Sequence, residues 1–150
     1  MLSSEPIFRV HVELADSLQF GPTPAGERRV INILGGRVEG AKLQGRILSG
    51  GADWQLIRAD GAADIQARYT IEANGGGLIL LNSEGLRHGP PDVMARLARG
   101  ESVDPGQYYF RTLMRFETGE QTLSWLNRIL AIAYGAREAR AVRFDVFEVL

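Results

Sequence analysis

A chain of 150 residues with 18 glycines and no cysteine is long enough to bury a core as one domain without staples. The missing thiols exclude thiolate catalysis, disulfide frameworks and cysteine-ligated zinc or iron–sulfur centres. Seventeen basic against eighteen acidic residues give a net charge of -1, which provides no bulk field for nucleic acid. The start, Met1-Leu2-Ser3-Ser4-Glu5-Pro6, has no basic segment followed by an apolar run, and no later stretch reaches membrane-span length. The expectation is a soluble, cytoplasmic protein with no membrane partner.

Pro6 to Ala15 alternates, with Phe8, Val10, Val12 and Leu14 on one face and Ile7, Arg9, His11 and Glu13 on the other, which predicts a strand. Gly21 to Glu27, with two prolines and two glycines, reads as a loop. Arg28 to Leu34 reads as a second strand, Gly35-Gly36 and Gly40 as a bulge or bend, and Lys42 to Leu48 as a third strand. Next comes the stretch richest in chemistry, Gly50-Gly51-Ala52-Asp53-Trp54-Gln55-Leu56-Ile57-Arg58-Ala59-Asp60-Gly61. In an extended chain Asp53, Gln55 and Ile57 face one side and Trp54, Leu56 and Arg58 the other, so neither face is purely apolar. A plain core strand would carry Val, Ile and Leu there. An interior cavity with polar lining is the candidate explanation.

Asp64 to Glu72 pairs back after the Asp60-Gly61 turn, and Leu78 to Asn82 is a further apolar run before Ser83 to Gly89 leaves it. Pro91 and Asp92 open the one predicted helix, with Val93, Met94 and Leu97 on a shared face and Gly100 as its cap. The helix is short and is expected to plug one end of a sheet. Gln107 to Glu117 reads as a strand with Tyr109, Arg111, Leu113, Arg115 and Glu117 on one side and Tyr108, Phe110, Thr112, Met114 and Phe116 on the other. Thr122 to Tyr134 is read as strand, with a helix as the alternative because Leu123, Leu126, Ile129 and Leu130 also fit helical spacing. Arg140 to Leu150 closes the chain as a strand that must be paired if its last residues are not to fray. The sum is an all-β domain spanning residues 1–150: a compact antiparallel β-barrel of roughly nine strands with one short helix, or alternatively a β-sandwich.

Several motifs are absent. With only His11 and His88, no HxH or HExxH spacing exists, and no metal site is expected. No Walker-type phosphate loop and no Gly-x-Ser-x-Gly elbow is present, and no cofactor is expected. Arg58, Arg68 and Arg111 lie in predicted strands, so any that point inward need a carboxylate, a bound anion or water. The competing reading is ion pairing with Asp53, Glu117, Asp145 or Glu148, or plain exposure. Tyr69, Tyr109 and Trp125 have apolar bodies and polar tips suited to a cyclic ligand, or to core packing. His88 is a candidate acid or base, and Glu117 with Asp145 would suit acid–base work if they met.

The runs Gly50 to Arg58, Ala67-Arg68-Tyr69-Thr70, Arg87-His88-Gly89-Pro90-Pro91, Tyr108-Tyr109-Phe110-Arg111, Phe116-Glu117-Thr118-Gly119 and Trp125-Leu126-Asn127 fall in a fixed order over nearly the whole chain. Together they resemble the bacterial and fungal domain-of-unknown-function family three-two-three-seven. The resemblance implies a compact antiparallel β-barrel and brings no activity.

The functional expectation is a barrel holding a small organic ligand, a carboxylate or an oxygenated ring, in a polar-lined cavity. Asp53, Arg58, Arg68, Tyr109, Arg111, Glu117 and Asn127 are expected to line it, with Trp54, Tyr69, Trp125 and Asp145 as further ligand contacts. One alternative is a cofactor-free isomerase, hydratase or lyase in which Glu117 or His88 moves protons and Arg111 stabilises negative charge. Another is an assembly protein whose polar strand residues pair inside the barrel or across a homodimer.

Overall fold

The computed structural model describes residues 1–150 and contains ten strands. They are β1 (Phe8–Leu14), β2 (Leu18–Thr23), β3 (Gly26–Glu39), β4 (Gly45–Ile47), β5 (Ala52–Ile57), β6 (Ala63–Ala73), β7 (Leu78–His88), β8 (Tyr109–Thr118), β9 (Ala131–Arg137) and β10 (Ala141–Glu148). Every pairing is antiparallel, in the order β1-β10-β9-β8-β7-β6, then β4 and β5 side by side in sequence along β6 and β3. Strand β1 also pairs with β3, which closes the sheet into an eight-position barrel and removes its edges. The strand β2 extends beyond the barrel along the first half of β3.

Alternation decides which side chains fill the barrel. Phe8, Val10, Val12 and Leu14 of β1 point inward, as do Phe110, Met114 and Phe116 of β8 and Val142, Phe144 and Val146 of β10. Between β8 and β10, strand β9 contributes only Ala131, Ala133 and Gly135 to the same layer. These small residues make room for the neighbouring aromatics: a Cβ on Gly135 would lie 2.7 Å from the Phe110 ring.

Three local readings are corrected. The loop expected at Gly21–Glu27 is a hairpin, in which β2 tolerates Pro22 because its outer edge has no partner. The stretch from Ser83 to His88 continues β7, paired residue by residue with β8, and does not leave the sheet. The strand expected from Thr122 is instead a 3₁₀ helix, Gln121–Arg128, and only Ala131–Arg137 is extended. Glu120 caps that helix by accepting from the Thr122 N–H, and the three-residue spacing of Leu123 and Leu126 turns both into the core.

The two barrel ends are covered differently. The 3₁₀ helix closes the end where β8 runs into β9, with Trp125 partly buried beneath Lys42 Nζ, 5.4 Å from its ring. The predicted helix forms as α1 (Pro91–Ala98), and Val93 and Leu97 bury its inner face. With the following turn down to Tyr108, it covers the end where β7 gives way to β8. No helix is long and apolar enough to cross a membrane.

Candidate functional site

The half of the barrel beneath α1 is lined with polar groups on positions whose parity is otherwise apolar. On β7 the inward positions run Ile79, Leu81, Ser83, Gly85, Arg87; on β9 they run Ala131, Ala133, Gly135, Arg137. Strand β5 adds Asp53 and Gln55, β6 adds Tyr69, β8 adds Thr112, and Arg29 of β3 lies close enough for its charge to act on Arg87 and Arg137. Gln55, Ser83 and Thr112 are each 2% exposed and Arg87 7%.

A space of about 30 Å³ remains among Asp53, Gln55, Tyr69, Ser83 and Arg137, walled on its apolar side by Ile33, Phe110 and Phe144. That volume is on the scale of one or two water molecules. The surrounding hydrogen bonding is incomplete. Gln55 Oε1, Tyr69 Oη, Ser83 Oγ, Thr112 Oγ1 and the Nε atoms of Arg29 and Arg87 are all buried without a protein partner. Buried polar atoms are ordinarily paired, so this concentration at one barrel end is the feature to explain.

The charges are equally one-sided. None of Arg29, Arg87 and Arg137 makes an ion pair. Arg87 rests over the Phe110 ring at 5.3 Å, and burial together with repulsion from Arg137 lowers its guanidinium to about 10. Arg137 is lowered by burial as well, and donates Nη1 to the Ala141 carbonyl at 3.1 Å. Asp53 is the single carboxylate among them. It accepts from Gln55 Nε2 at 2.8 Å and from the Gln66 N–H at 3.1 Å. Burial nonetheless pushes its carboxyl above the usual range, against the opposing pull of Gln55, Arg87, the Gln66 amide and Arg137. Burial also pushes the Tyr69 phenol up, with the Asp53 charge adding to the shift.

Of the residues expected to share one cavity, Asp53 and Tyr69 reach this lumen and the others do not. Arg58 lies outside and pairs with Asp60, with Asp64 at 3.7 Å. Arg68 is on the outer face, donating to Asn82 Oδ1 at 2.7 Å, and Trp54 is exposed on the same side of the sheet. The parity of β8 sends Phe110, Thr112, Met114 and Phe116 inward, so Tyr109, Arg111 and Glu117 must face outward. Arg111 packs over Tyr134 at 4.1 Å and Tyr109 at 5.5 Å, in an outer groove of about 680 Å³ that also involves Glu84 and Leu113. His88 is not in a loop; it ends β7 with its ring stacked on Tyr109 at 5.0 Å. Asp145 is held by Arg9 at 3.0 Å. Trp125 belongs to the opposite barrel end, and Asn127 bonds the backbone of Thr118.

Arg29, Gln55, Ser83, Arg87, Thr112 and Arg137 were not among the expected site residues. For Ser83 and Arg87 the signal is present in the sequence: both continue the parity of Ile79 and Leu81 once β7 is extended to His88. No cluster of three or more His, Asp or Glu side chains assembles in a metal-holding arrangement.

The same barrel occurs in solved structures. A protein from Rhodopseudomonas palustris, described as a conserved protein of unknown function, superposes with a TM-score of 0.93 at 38% identity, covering 100% of this chain and 98% of its own. A β-barrel-like protein from Acinetobacter baumannii gives 0.85 at 41% identity, over 99% of this chain and 96% of its own. A UPF0311 protein of Bradyrhizobium diazoefficiens is 39% identical over 149 residues, 99% of this chain and 97% of that protein. The profile of the family described as "Protein of unknown function (DUF3237)" matches residues 2–149, and this chain belongs to that family.

Proposed function

We propose that the protein binds a small organic ligand, a carboxylate or an oxygenated ring, in the polar half of its barrel beneath α1. The supporting observation is the set of buried, unpartnered groups that line one cavity, Gln55 Oε1, Tyr69 Oη and Ser83 Oγ, with Arg87 Nε unpartnered in the same half of the barrel. Each costs on the order of 1–3 kcal/mol if left unsatisfied, and a ligand with several oxygens would recover that cost. Half-buried Asp53 and Arg137 carry the polar lining from the interior toward solvent. A melting-temperature screen of organic acids and oxygenated cyclic compounds tests this reading on the parent, Gln55→Leu and Tyr69→Phe. Binding in the lumen predicts compounds that stabilise the parent and lose most of that effect in the variants. Equal shifts in all three proteins would place the ligand elsewhere, and no stabilising compound at all would count against the reading.

The raised carboxyl of Asp53 favours a second reading in which the bound ligand is turned over by cofactor-free acid–base chemistry. Asp53 would then move the proton, in place of Glu117 or His88, both of which are on the outside. Any compound found in the screen separates the two readings, because a binder returns it unchanged. For a homodimer, the supporting observation is the outer face, where Tyr109, Leu113 and Tyr134 are exposed together. Sedimentation of the parent beside Leu113→Glu tests it, with a concentration-dependent dimer lost in the variant as the expected result.

A further inference from the structure

The charge and size of the lumen site narrow its ligand further, in an inference that rests on the binding reading above. Three guanidinium groups, Arg29, Arg87 and Arg137, act on one another there, and Asp53 is the only carboxylate that acts on them. Asp53 is not within ion-pair distance of any of the three, and both its oxygens already accept from Gln55 and the Gln66 amide. The cluster therefore holds at least two positive charges more than negative ones. Barrel interiors do not leave such an excess standing without cost, because desolvation of an unpaired charge amounts to several kcal/mol.

The donors are arranged on different strands and at different depths. Arg87 on β7 is buried, while Arg137 on β9 and Arg29 on β3 are half-buried, so the charge extends from the interior toward solvent. The Nε atoms of Arg29 and Arg87 have no acceptor. The Ser83 hydroxyl, two inward positions before Arg87 on β7, and the Tyr69 hydroxyl on the adjacent β6 add neutral donors, and neither has a partner. A guanidinium offers two parallel N–H groups to a carboxylate or a phosphate, so two or three of them address more than one acidic oxygen pair. Space is the second constraint. The cavity of about 30 Å³ is far below the roughly 300 Å³ or more of pockets that enclose drug-sized ligands. An oxygenated ring would require the segment between Gly89 and Tyr108 to lift, whereas a compact anion needs only side-chain movement of the half-buried arginines.

We propose that the polar end of the barrel is a site for a compact dianion, a short dicarboxylate or a phosphate group, held between Arg87 and Arg137 with Arg29 at its outer side and the Tyr69 and Ser83 hydroxyls at its inner end. Asp53 opposes it electrostatically, so removing that one charge strengthens the site.

Calorimetric titration of the full chain tests this, with malonate, inorganic phosphate and acetate as probes at matched ionic strength and mildly alkaline pH. Malonate or phosphate should bind with one-to-one stoichiometry, and acetate at least about tenfold more weakly, since it carries half the charge. Arg29 is partly exposed, so Arg29→Gln retains the fold and should weaken the dianion about tenfold. Asp53→Asn should tighten it several-fold, a direction that mere disruption of the barrel would not give. Malonate without phosphate assigns a dicarboxylate, phosphate without malonate assigns a phosphate group, and either supports the site. Acetate binding as tightly as both dianions, or Asp53→Asn weakening them, overturns it. If neutral compounds bind in the melting-temperature screen and neither dianion binds, the dianion is wrong and the binding reading stands. If nothing binds in either experiment, both fall.

Discussion

Gln55 donates its Nε2 to Asp53 Oδ2 at 2.8 Å while its own Oε1, buried in the barrel, receives no donor. Asp53 is thus hydrogen-bonded but still costly to ionise, because burial outweighs the Gln55 and Gln66 donors and the distant guanidinium charges. The sign of the pH dependence follows. Unfolded, the carboxyl titrates near its ordinary value; folded, it holds its proton to higher pH, so the native state binds more protons in between. The contribution of Asp53 to stability should therefore fall as pH rises from the ordinary carboxylate value through the raised one, and stay constant above. Thermal melts across that window should show the parent losing stability relative to Asp53→Asn; parallel curves would refute the assignment.

Arg87 is the other expensive group: 7% exposed, without an ion pair and with Nε unpartnered. Arg87→Met replaces a buried charge with a flexible apolar chain whose sulfur can keep the contact to Phe110. In the ligand-free protein the substitution should be neutral or stabilising by about 1–3 kcal/mol. Denaturant titration provides the check, and the same variant should lose dianion binding. A loss of stability would mean that Arg87 is structural.

Gly135→Ala should cost about 1–3 kcal/mol, since its new Cβ would meet the Phe110 ring at 2.7 Å and push it toward the lumen cavity. Gly119→Ala is the control. Nothing lies within 4 Å of a Cβ built there, and its melting point should stay close to the parent's.

Asn127 bridges Thr118 with both ends of its amide: Oδ1 accepts from the Thr118 N–H at 2.8 Å and Nδ2 donates to the Thr118 carbonyl at 2.9 Å. These bonds tie the 3₁₀ helix to the end of β8. Asn127→Ala should destabilise by about 1–2 kcal/mol and leave any ligand-induced shift unchanged. A change in that shift would reinstate Asn127 as a ligand contact.

The fold was legible wherever one face was apolar. The alternation Phe8-Val10-Val12-Leu14, the paired faces of Tyr108 to Glu117 and the terminal strand from Arg140 were all present as period-two patterns, and the helix at Pro91 had its own start and stop signals. Boundaries failed where polar residues interrupted the pattern. The end of β7 is obscured because Ser83, Glu84, Gly85 and Arg87 resemble a loop, and the 3₁₀ helix is obscured because a short apolar run around Trp125 resembles a strand even though the three-residue spacing of Leu123 and Leu126 suits only a helix.

The sequence by itself determined the antiparallel barrel class and the unusual chemistry of the strand carrying Asp53 and Gln55, because local alternation and turn residues are properties of neighbouring positions. Only the tertiary structure decided which polar residues meet. Barrel closure through β1 and β3 fixes what is inside, and a one-residue change of parity moves a side chain from lumen to surface. That is why Arg111 and Glu117, on an obvious strand, ended outside, while Arg87 and Arg137, fifty positions apart, came to act on each other across the same interior.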